Sequence, residues 1–131
     1  MLEVCCAIVQ YKDKVLVAQR SEQMLLPLKW EFPGGKIEAT ETREECIKRE
    51  LKEELALPVE VIGSLTAVTH HYESFSLNLY PLLCRTTTMD CIVKEHQTVQ
   101  WVSWEDLSDF DWAAADIPIV EEYVEKMKNQ K

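Results

Sequence analysis

Residues 33–58 read PGGKIEATETREECIKRELKEELALP, and this stretch contains the clearest predicted helix of the chain. Thr42 followed three residues later by Glu45 is the pattern of a capping box at a helix N-terminus. Three aliphatic residues then recur at every fourth position: Ile47, Leu51 and Leu55. This spacing predicts one apolar stripe along a helix, and Pro58 prevents the helix from continuing. An amphipathic helix is therefore expected from Thr42 to the residues before Pro58.

Three glutamates of this helix are expected on one face. At about 100° per residue, Glu50, Glu53 and Glu54 fall within an arc of about 100°. Like charges at this spacing repel one another, which indicates a compensating cation. A hard divalent cation such as Mg²⁺ takes oxygen ligands and commonly bridges to substrate phosphates. The upstream pair Gly34 and Gly35 has no side chains that would block backbone oxygens from a metal or a phosphate.

The same glutamates also permit a purely structural interpretation. Glu-rich amphipathic helices are common, and residues 48–54 are consistent with a solvated face that carries ion pairs such as Arg49 with Glu53. Under this interpretation, Glu53→Gln would leave both activity and metal affinity unchanged. The glycine pair upstream of the helix favours the metal interpretation.

The order and spacing of these residues resemble the Nudix box of the Nudix hydrolases. Gly35 is followed by Glu41 after five residues, and residues 49–57, RELKEELAL, follow after seven more. Every specified position matches except the glycine near the end of the box, which is Ala56 here. That glycine normally closes the helix at positive φ. The resemblance therefore implies a different or mildly strained helix end at Ala56, a small stability effect and retained activity.

The flanking sequence is similar to the MutT branch of the family, the nucleoside triphosphate pyrophosphohydrolases. Residues 29–38 read KWEFPGGKIE, and the similarity runs from Val4 through the closing helix. The resemblance implies a Nudix-type α/β/α sandwich of the α+β class with a mixed central sheet. We expect a single Nudix domain over residues 1–131.

Local patterns predict the remaining elements. Strands are expected at residues 3–10, 14–20, near 59–69, 75–85 and 98–103. Residues 21–36 are expected to form a loop, and Trp104 to Leu107 a short turn or helix. A final helix near 117–128 should place four residues on its apolar side: Ile117, Val120, Val124 and Met127. Strands dominate the middle of the chain, so the pattern is α+β or mixed-sheet rather than regularly alternating.

The resemblance implies a role for each residue of the catalytic centre. The metal ligands would be the Gly34 carbonyl and four carboxylates, those of Glu50, Glu53, Glu54 and Glu95. In the MutT branch, water attacks the β-phosphorus and releases nucleoside monophosphate and pyrophosphate. Glu53 is the candidate general base and Glu95 the second candidate, with Glu50 in the same catalytic group. Arg49 is expected to pair with Glu41 and brace the loop on the helix. Mg²⁺ is the expected cofactor, and Mn²⁺ a substitute.

Three residues are expected to contact the substrate: Arg20, Phe32 and Asp116. Phe32 would stack on the base, and Asp116 would accept hydrogen bonds from a ring N–H and an exocyclic amine. Guanine and 8-oxoguanine offer that donor pair, and cytosine offers its amine, so Asp116 does not decide between them. Tyr72 and Phe75 are weaker candidates.

The predicted substrate is 8-oxo-dGTP, whose removal from the nucleotide pool prevents mutation during DNA replication. A CTP or modified-dCTP pyrophosphohydrolase is the alternative enzyme. The alternative outside enzymes is a non-catalytic Nudix domain that binds a nucleotide as a regulator. The intact Glu50, Glu53 and Glu54 argue against that last interpretation.

Composition limits the partners of the chain. Its 131 residues carry 14 Lys+Arg against 23 Asp+Glu, a net charge of -9, which disfavours binding to a nucleic-acid polymer or an anionic membrane. The free nucleotide, with metal ions, remains the expected partner. Five cysteines without paired spacing, and no apolar run of about 20 residues, favour a reduced cytoplasmic protein. The sequence leaves monomer and homodimer open.

Overall fold

A mixed β-sheet lies between two α-helices in the computed structural model, which describes residues 1–130. The strands are β1 Leu2–Tyr11, β2 Lys14–Gln19, β3 Trp30–Glu31, β4 Gly34–Lys36, β5 Glu60–Ser64, β6 Val68–His71, β7 Ser76–Arg85 and β8 Thr98–Ser103. The helices are α1 Arg43–Leu55 and α2 Ile117–Lys128, with 3-10 helices at Trp104–Asp109 and Ala114–Asp116. No helix within the described residues is long and apolar enough to cross a membrane.

Pairing of β1 with β7 makes the sheet mixed. These two long strands run parallel, from Leu2 opposite Leu77 to Gln10 opposite Arg85. The other pairs are antiparallel: β1 with β2 and β4, β2 with β3 and β8, and β7 with β5 and β6. The predicted α+β class with a mixed central sheet is confirmed.

Each face of the sheet carries its own hydrophobic core. Successive residues of a strand point to opposite faces, and Cys5, Ala7 and Val9 of β1 pack in the core that contains the apolar stripe of α1. Cys6 and Ile8 pack in the opposite core, which includes residues of α2. The helices therefore cover opposite faces, as a sandwich requires. The five cysteines are free thiols, and four of them are buried.

The capping box predicted for α1 is confirmed. The Thr42 hydroxyl accepts a hydrogen bond from Glu45 N at 3.1 Å, and Glu45 Oε1 accepts one from Thr42 N at 2.8 Å. Four residues of the helix are buried: Cys46, Ile47, Leu51 and Leu55. Local sequence thus determines both the start of α1 and the face that it buries.

Ala56 ends α1 in the left-handed region, at φ 51° and ψ 34°. Its N–H donates to the carbonyls of Leu51 and Lys52. The helix therefore keeps the left-handed closure that a glycine would give, and the expected mild strain falls on the Cβ of Ala56.

Ala56→Gly is expected to raise the free energy of unfolding by about 0.5–1 kcal/mol, because glycine adopts this conformation without steric cost. Urea unfolding followed by circular dichroism measures the change. Ala67→Gly is the matched control, since Ala67 is exposed and has no positive φ. A gain of equal size in both variants would contradict the assignment of strain to Ala56.

The predicted loop at residues 21–36 is partly wrong, because it contains two short strands. β3 pairs with β2, where Glu31 lies opposite Ala18, and β4 pairs with β1, where Gly34 lies opposite Cys6. Strands of two and three residues are stabilised by these neighbours and not by a local pattern. Likewise, the single strand expected near 59–69 is two strands, and both of them pair with β7.

The final helix occupies the predicted residues, and Val120, Val124 and Met127 pack against the core as predicted. The prediction is wrong at Ile117 and lacks Ile119 and Tyr123. Ile117 is 44% exposed, whereas Tyr123 is buried and its hydroxyl accepts a hydrogen bond from Gln10 Nε2 at 2.6 Å. Ile119 and Val120 are the other buried residues of α2. The hydrogen bond from β1 explains why a tyrosine occupies the core.

Candidate active site

The glycine pair of β4 packs closely against β1 and α1. A Cβ atom at Gly34 would collide with the backbone of Cys5 and Cys6 in β1. A Cβ atom at Gly35 would collide with the carboxylate of Glu50. Gly34 therefore requires glycine, whereas at Gly35 the Glu50 side chain would have to move to make room for a Cβ atom. The backbone of β4 thus lies directly against a carboxylate of α1.

Arg49 connects the loop to the helix. Its Nε and Nη2 atoms donate to the two carboxylate oxygens of Glu41 at 2.9 and 2.6 Å, and Nη2 also donates to the Lys36 carbonyl. Nη1 donates to Glu50 at 3.0 Å and to Glu53 at 3.2 Å. The guanidinium holds the pKa of Glu41 at about 2, well below its usual value. One cation thus holds the loop and two carboxylates of the helix together.

Glu54 is a shielded carboxyl group of the same helix. Burial raises the pKa of Glu54 to about 9, and a hydrogen bond with Glu50 adds to the effect, as do the charges of Glu50, Glu95 and Glu31. Its side chain is 17% exposed, against 59% for Glu53. Glu54 therefore carries a proton at neutral pH in the absence of a cation.

Metal affinity is expected to rise with pH, because a cation must displace the proton of Glu54. An unfolded glutamate titrates near pH 4.3. Folding therefore takes up a proton at Glu54 between that value and about 9, and on this account the metal-free protein loses stability as pH rises. Added Mg²⁺ should raise Tm more at about pH 8.5 than at about pH 6. Thermal unfolding with and without Mg²⁺ checks this, and an equal Mg²⁺ effect at both pH values would contradict it.

Four of the predicted metal ligands lie on two elements: Gly34 on β4, and Glu50, Glu53 and Glu54 on α1. Glu95 is exposed in the segment before β8, close enough for its charge to act on Glu54. Within residues 1–130, no three His, Cys, Asp or Glu side chains are already arranged closely enough to hold a metal ion. Arg49 Nη1 lies against both Glu50 and Glu53.

A cavity of about 540 Å³ begins at β4. It reaches from Gly34 and Gly35 to Asp116, next to the N-terminus of α2. Its wall is mostly apolar, and the residues include Val4, Cys6, Phe32, Tyr72, Phe75, Leu77 and Leu79. A volume of this size, with few polar groups, is typical of a small-molecule site.

Asp116 is a buried acidic residue of the cavity wall. Its exposed fraction is 5%, and its Oδ2 atom accepts a hydrogen bond from Phe32 N at 2.9 Å. Burial raises the pKa of Asp116 well above its usual value, and the charge of Glu31 adds to the rise. The structure therefore brings Asp116 and Phe32 together, although they are 84 positions apart.

The aromatic residues of the cavity differ in their exposure. Phe32 is buried, and its ring packs on Trp112 with centroids 4.8 Å apart. Tyr72 and Phe75 form a second pair at 4.9 Å, and both are partly exposed. The Tyr72 hydroxyl accepts a hydrogen bond from Ala115 N, one residue before Asp116. Tyr72 and Phe75 thus offer more accessible ring surface than Phe32 does.

Arg20 lines the cavity, and its guanidinium is already engaged. Nη1 pairs with Glu31 Oε1 at 2.7 Å, and Nε donates to the Leu25 carbonyl at 2.5 Å.

Glu31 and His96 are the site residues that local sequence did not indicate. Glu31 Oε2 lies 2.8 Å from Nε2 of His96, which is buried. The only available signal was the position of Glu31 inside the conspicuous run at residues 29–38.

A carboxylate-bearing helix on one face of a mixed sheet, beside a deep apolar cavity, defines an α+β domain of the Nudix type. The NUDIX domain family profile matches residues 4–122. The chain is 32% identical over 124 residues to the CTP pyrophosphohydrolase of Escherichia coli strain K12, covering 95% of this chain and 92% of that protein. It is 26% identical over 120 residues to the 8-oxo-dGTP diphosphatase of the same strain, covering 91% and 93%.

Solved structures agree with this assignment. The solution structure of a protein described as DNA mismatch repair protein MutT, from methicillin-resistant Staphylococcus aureus 252, superposes with a TM-score of 0.76 at 36% identity. That comparison covers 95% of this chain and 96% of the other. The chain therefore belongs to the Nudix family of hydrolases, which act on phosphoric anhydride bonds and generally use a divalent metal.

Proposed function

We propose that the protein hydrolyses nucleoside triphosphates to the monophosphate and pyrophosphate, with 8-oxo-dGTP as the preferred substrate. The observation that carries this proposal is the continuity of the cavity from Asp116 to the glycine pair at the carboxylate helix. A base at Asp116 would direct its phosphates toward Gly34, Gly35 and the carboxylates. The relatives named for CTP and 8-oxo-dGTP hydrolysis support the same reaction.

The donors around α1 fit a hard divalent cation. Glu50, Glu53, Glu54, Glu95 and the Gly34 carbonyl offer only oxygen ligands, which Mg²⁺ and Mn²⁺ accept. The contact of Gly35 with the Glu50 carboxylate and the buried position of Glu54 both favour a compensating cation there. When bound, such a cation neutralises phosphate charge and makes a nearby water molecule more acidic.

The protein groups would then act as follows. Glu53, exposed at the helix face, accepts a proton from the attacking water, and Glu95 is the second candidate for this step. The water oxygen bonds to the β-phosphorus, and the bond from that phosphorus to the α–β bridging oxygen breaks. The electron pair leaves with the nucleoside monophosphate. Arg49 keeps Glu50 and Glu41 in place throughout.

Removal of 8-oxo-dGTP would prevent its use in DNA replication, which makes nucleotide-pool sanitation the proposed role. The net charge of -9 supports action on the free nucleotide and not on DNA. We place this activity in the cytoplasm, for a monomer or a homodimer.

Steady-state kinetics on 8-oxo-dGTP, dGTP, CTP and 5-methyl-dCTP test the proposal. We expect the highest kcat/KM with 8-oxo-dGTP, and ¹⁸O from labelled water in the pyrophosphate product. Label in the monophosphate would contradict attack at the β-phosphorus. Binding of nucleotide with Mg²⁺ but without release of pyrophosphate, at any pH from about 7 to 9.5, would identify a non-catalytic domain.

A cytidine nucleotide is the second candidate substrate, and the state of Asp116 favours it. A neutral carboxyl group offers a donor beside an acceptor, which matches the N3 acceptor and the amine of cytosine. A carboxylate offers only acceptors, which match the two neighbouring donors of guanine. The raised pKa of Asp116 therefore supports cytosine at low pH and guanine at high pH.

The preference of the enzyme is accordingly expected to depend on pH. As pH rises, Asp116 loses its proton, and the ratio of kcat/KM for 8-oxo-dGTP to that for CTP should increase. Both substrates share the triphosphate and the metal site, so effects of pH on that site cancel in the ratio. Competition assays with both nucleotides in one mixture measure the ratio directly. A ratio that is constant with pH would show that the ionisation of Asp116 does not set the preference.

A further inference from the structure

Tyr72 lies in the wall of the cavity, and the proposed reaction does not use it. It directly follows β6, is half-buried, and lines the cavity together with Ala115 and Asp116. Its hydroxyl oxygen accepts a hydrogen bond from Ala115 N at 2.8 Å. The hydroxyl therefore lies at the Asp116 end of the cavity, where the base of the nucleotide is expected to bind.

Neighbouring groups hold the side chain of Tyr72 in place. Its ring packs against the rings of His70 and Phe75, with centroids 4.4 and 4.9 Å away. Tyr72 N also donates to the Phe75 carbonyl at 2.8 Å, which closes the turn between β6 and β7. Because these contacts exist without a ligand, the position of the hydroxyl is set before a nucleotide binds, and little ordering is required on binding.

The hydroxyl hydrogen of Tyr72 is available to a ligand. A tyrosine hydroxyl is both a donor and an acceptor, and Ala115 N uses it as an acceptor. Within residues 1–130, no group accepts a hydrogen bond from this hydroxyl. Burial raises the pKa of Tyr72 above its usual value, and the charge of Asp116 adds to the rise. The hydroxyl therefore keeps its proton at neutral pH and is a donor.

Asp116 has an oxygen atom available to the same ligand. Its Oδ2 atom accepts the hydrogen bond of Phe32 N, and Oδ1 has no partner within residues 1–130. His96 Nδ1 is the fully buried side-chain nitrogen or oxygen atom without a partner in this part of the chain, so Asp116 Oδ1 is not sealed from the cavity. The wall thus presents a carboxyl oxygen and, beside it, a hydroxyl donor.

The two candidate bases share a feature next to the atoms that Asp116 would contact. In guanine, the amine and the ring N–H are followed along the same edge by the O6 carbonyl. In cytosine, the amine and the ring nitrogen N3 are followed by the O2 carbonyl. Adenine has a C–H group at the corresponding position. A donor beside Asp116 therefore favours guanine and cytosine over adenine, whether or not Asp116 carries a proton.

We propose that Tyr72 determines base specificity, because its hydroxyl donates a hydrogen bond to the base carbonyl, O6 of guanine or O2 of cytosine, while Asp116 contacts the two neighbouring atoms of the base. The proposal rests on the function proposed above and deepens it, since it defines the substrates as nucleotides with a carbonyl at this position. It involves neither the metal ligands nor the general base.

Tyr72→Phe removes the hydroxyl and keeps the ring that packs on His70 and Phe75. In 6-thio-dGTP and 2-thio-CTP, sulfur replaces the base carbonyl oxygen and is a much weaker acceptor. The variant and the thio analogues together form a double-mutant cycle, in which the effect of the larger sulfur atom cancels. Tyr80→Phe is the matched control, because the Tyr80 hydroxyl donates to Glu3 Oε1 at 2.7 Å and Tyr80 does not line the cavity.

We expect Tyr72→Phe to lower kcat/KM about tenfold for dGTP or CTP, whichever is the better substrate, and less than about threefold for its thio analogue, as for the loss of one hydrogen bond. Tyr80→Phe should match the unmodified protein. An equal loss for the oxygen and sulfur nucleotides would overturn the proposal, because the hydroxyl would then only hold Ala115. Unchanged kcat/KM for both dGTP and CTP would also overturn it. Circular dichroism verifies that each variant is folded.

A second measurement needs neither catalysis nor a metal. Isotope-edited infrared spectra of bound dGMP labelled with ¹⁸O at O6, and of bound CMP labelled at O2, report hydrogen bonding to the base carbonyl. We expect the labelled band of the bound product at lower wavenumber in the unmodified protein than in Tyr72→Phe, and identical band positions would overturn the proposal. A failure of the proposed function is a different result, in which the unmodified protein hydrolyses none of the nucleotides.

Discussion

Glu53→Gln is expected to lower kcat by at least about 100-fold, because glutamine does not accept the proton of the attacking water. Glu53 is 59% exposed and is bound by Arg49 Nη1 at 3.2 Å. Glutamine preserves the size and the helix propensity of the side chain, so the free energy of unfolding should change by less than about 0.5 kcal/mol. Release of pyrophosphate at saturating nucleotide and Mg²⁺ measures kcat.

Glu44→Gln is the matched control for this prediction. Glu44 is an exposed glutamate in the first turn of the same helix, and Glu45 next to it supplies the capping box. The kcat of the Glu44→Gln variant should equal that of the unmodified protein. The control therefore separates the effect of removing one negative charge from the helix from the effect of removing the general base. A Glu53→Gln variant with unchanged kcat would make Glu53 part of a solvated helix face. Glu95→Gln would then be the next variant to measure.

Asp116→Ala is expected to lower kcat/KM for the preferred nucleotide by about 100-fold and to remove most of the preference among bases. Asp116 is the buried carboxyl group in a mostly apolar wall, so its loss leaves polar atoms of the base without partners. Each unpaired buried group costs about 1–3 kcal/mol. A 100-fold loss is equivalent to about 2.7 kcal/mol. Values of kcat/KM for the four nucleotides, measured at one pH, test both the expected loss of kcat/KM and the expected loss of preference among bases.

Asp116→Asn is the control for the loss of stability that Asp116→Ala is expected to cause. Asp116 accepts the hydrogen bond of Phe32 N, which alanine leaves unpaired at a cost of about 1–3 kcal/mol in unfolding free energy. Asparagine keeps an acceptor for Phe32 N, so its stability should lie close to that of the unmodified protein. The kinetic constants should be measured at a temperature at which both variants are folded. An unchanged ranking of the four nucleotides in Asp116→Ala would show that another group reads the base.

Local sequence predicts those parts of the fold that depend on periodicity and capping. The start of α1 at Thr42 follows from side chains three residues apart, and its buried face follows from the four-residue spacing. The two-residue strand β3 and the three-residue strand β4 have no such signal, because their pairing partners lie in distant segments. Tyr123 likewise has no local signal, since its partner Gln10 is 113 positions away.

The candidate site also contains one part that local sequence predicts and one part that it does not. The regular geometry of one helix is enough to place Glu50, Glu53 and Glu54 together. The cavity and its network depend on tertiary contacts, because Glu31 and His96 are 65 positions apart and each is an ordinary residue in its own segment. They come into contact only where β3 and the segment before β8 meet.

The carboxylate helix, its glycine pair and the family follow from the amino-acid sequence, because they depend on spacing within one short segment of 26 residues. Which groups line the cavity, and how strongly each carboxyl group holds its proton, depends on tertiary contacts. Glu54 and Asp116 have raised pKa values because the packed sheet and helices exclude water from them. Burial of this kind is a property of the assembled fold, so the net charge of -9 in the sequence does not reveal which acids are neutral.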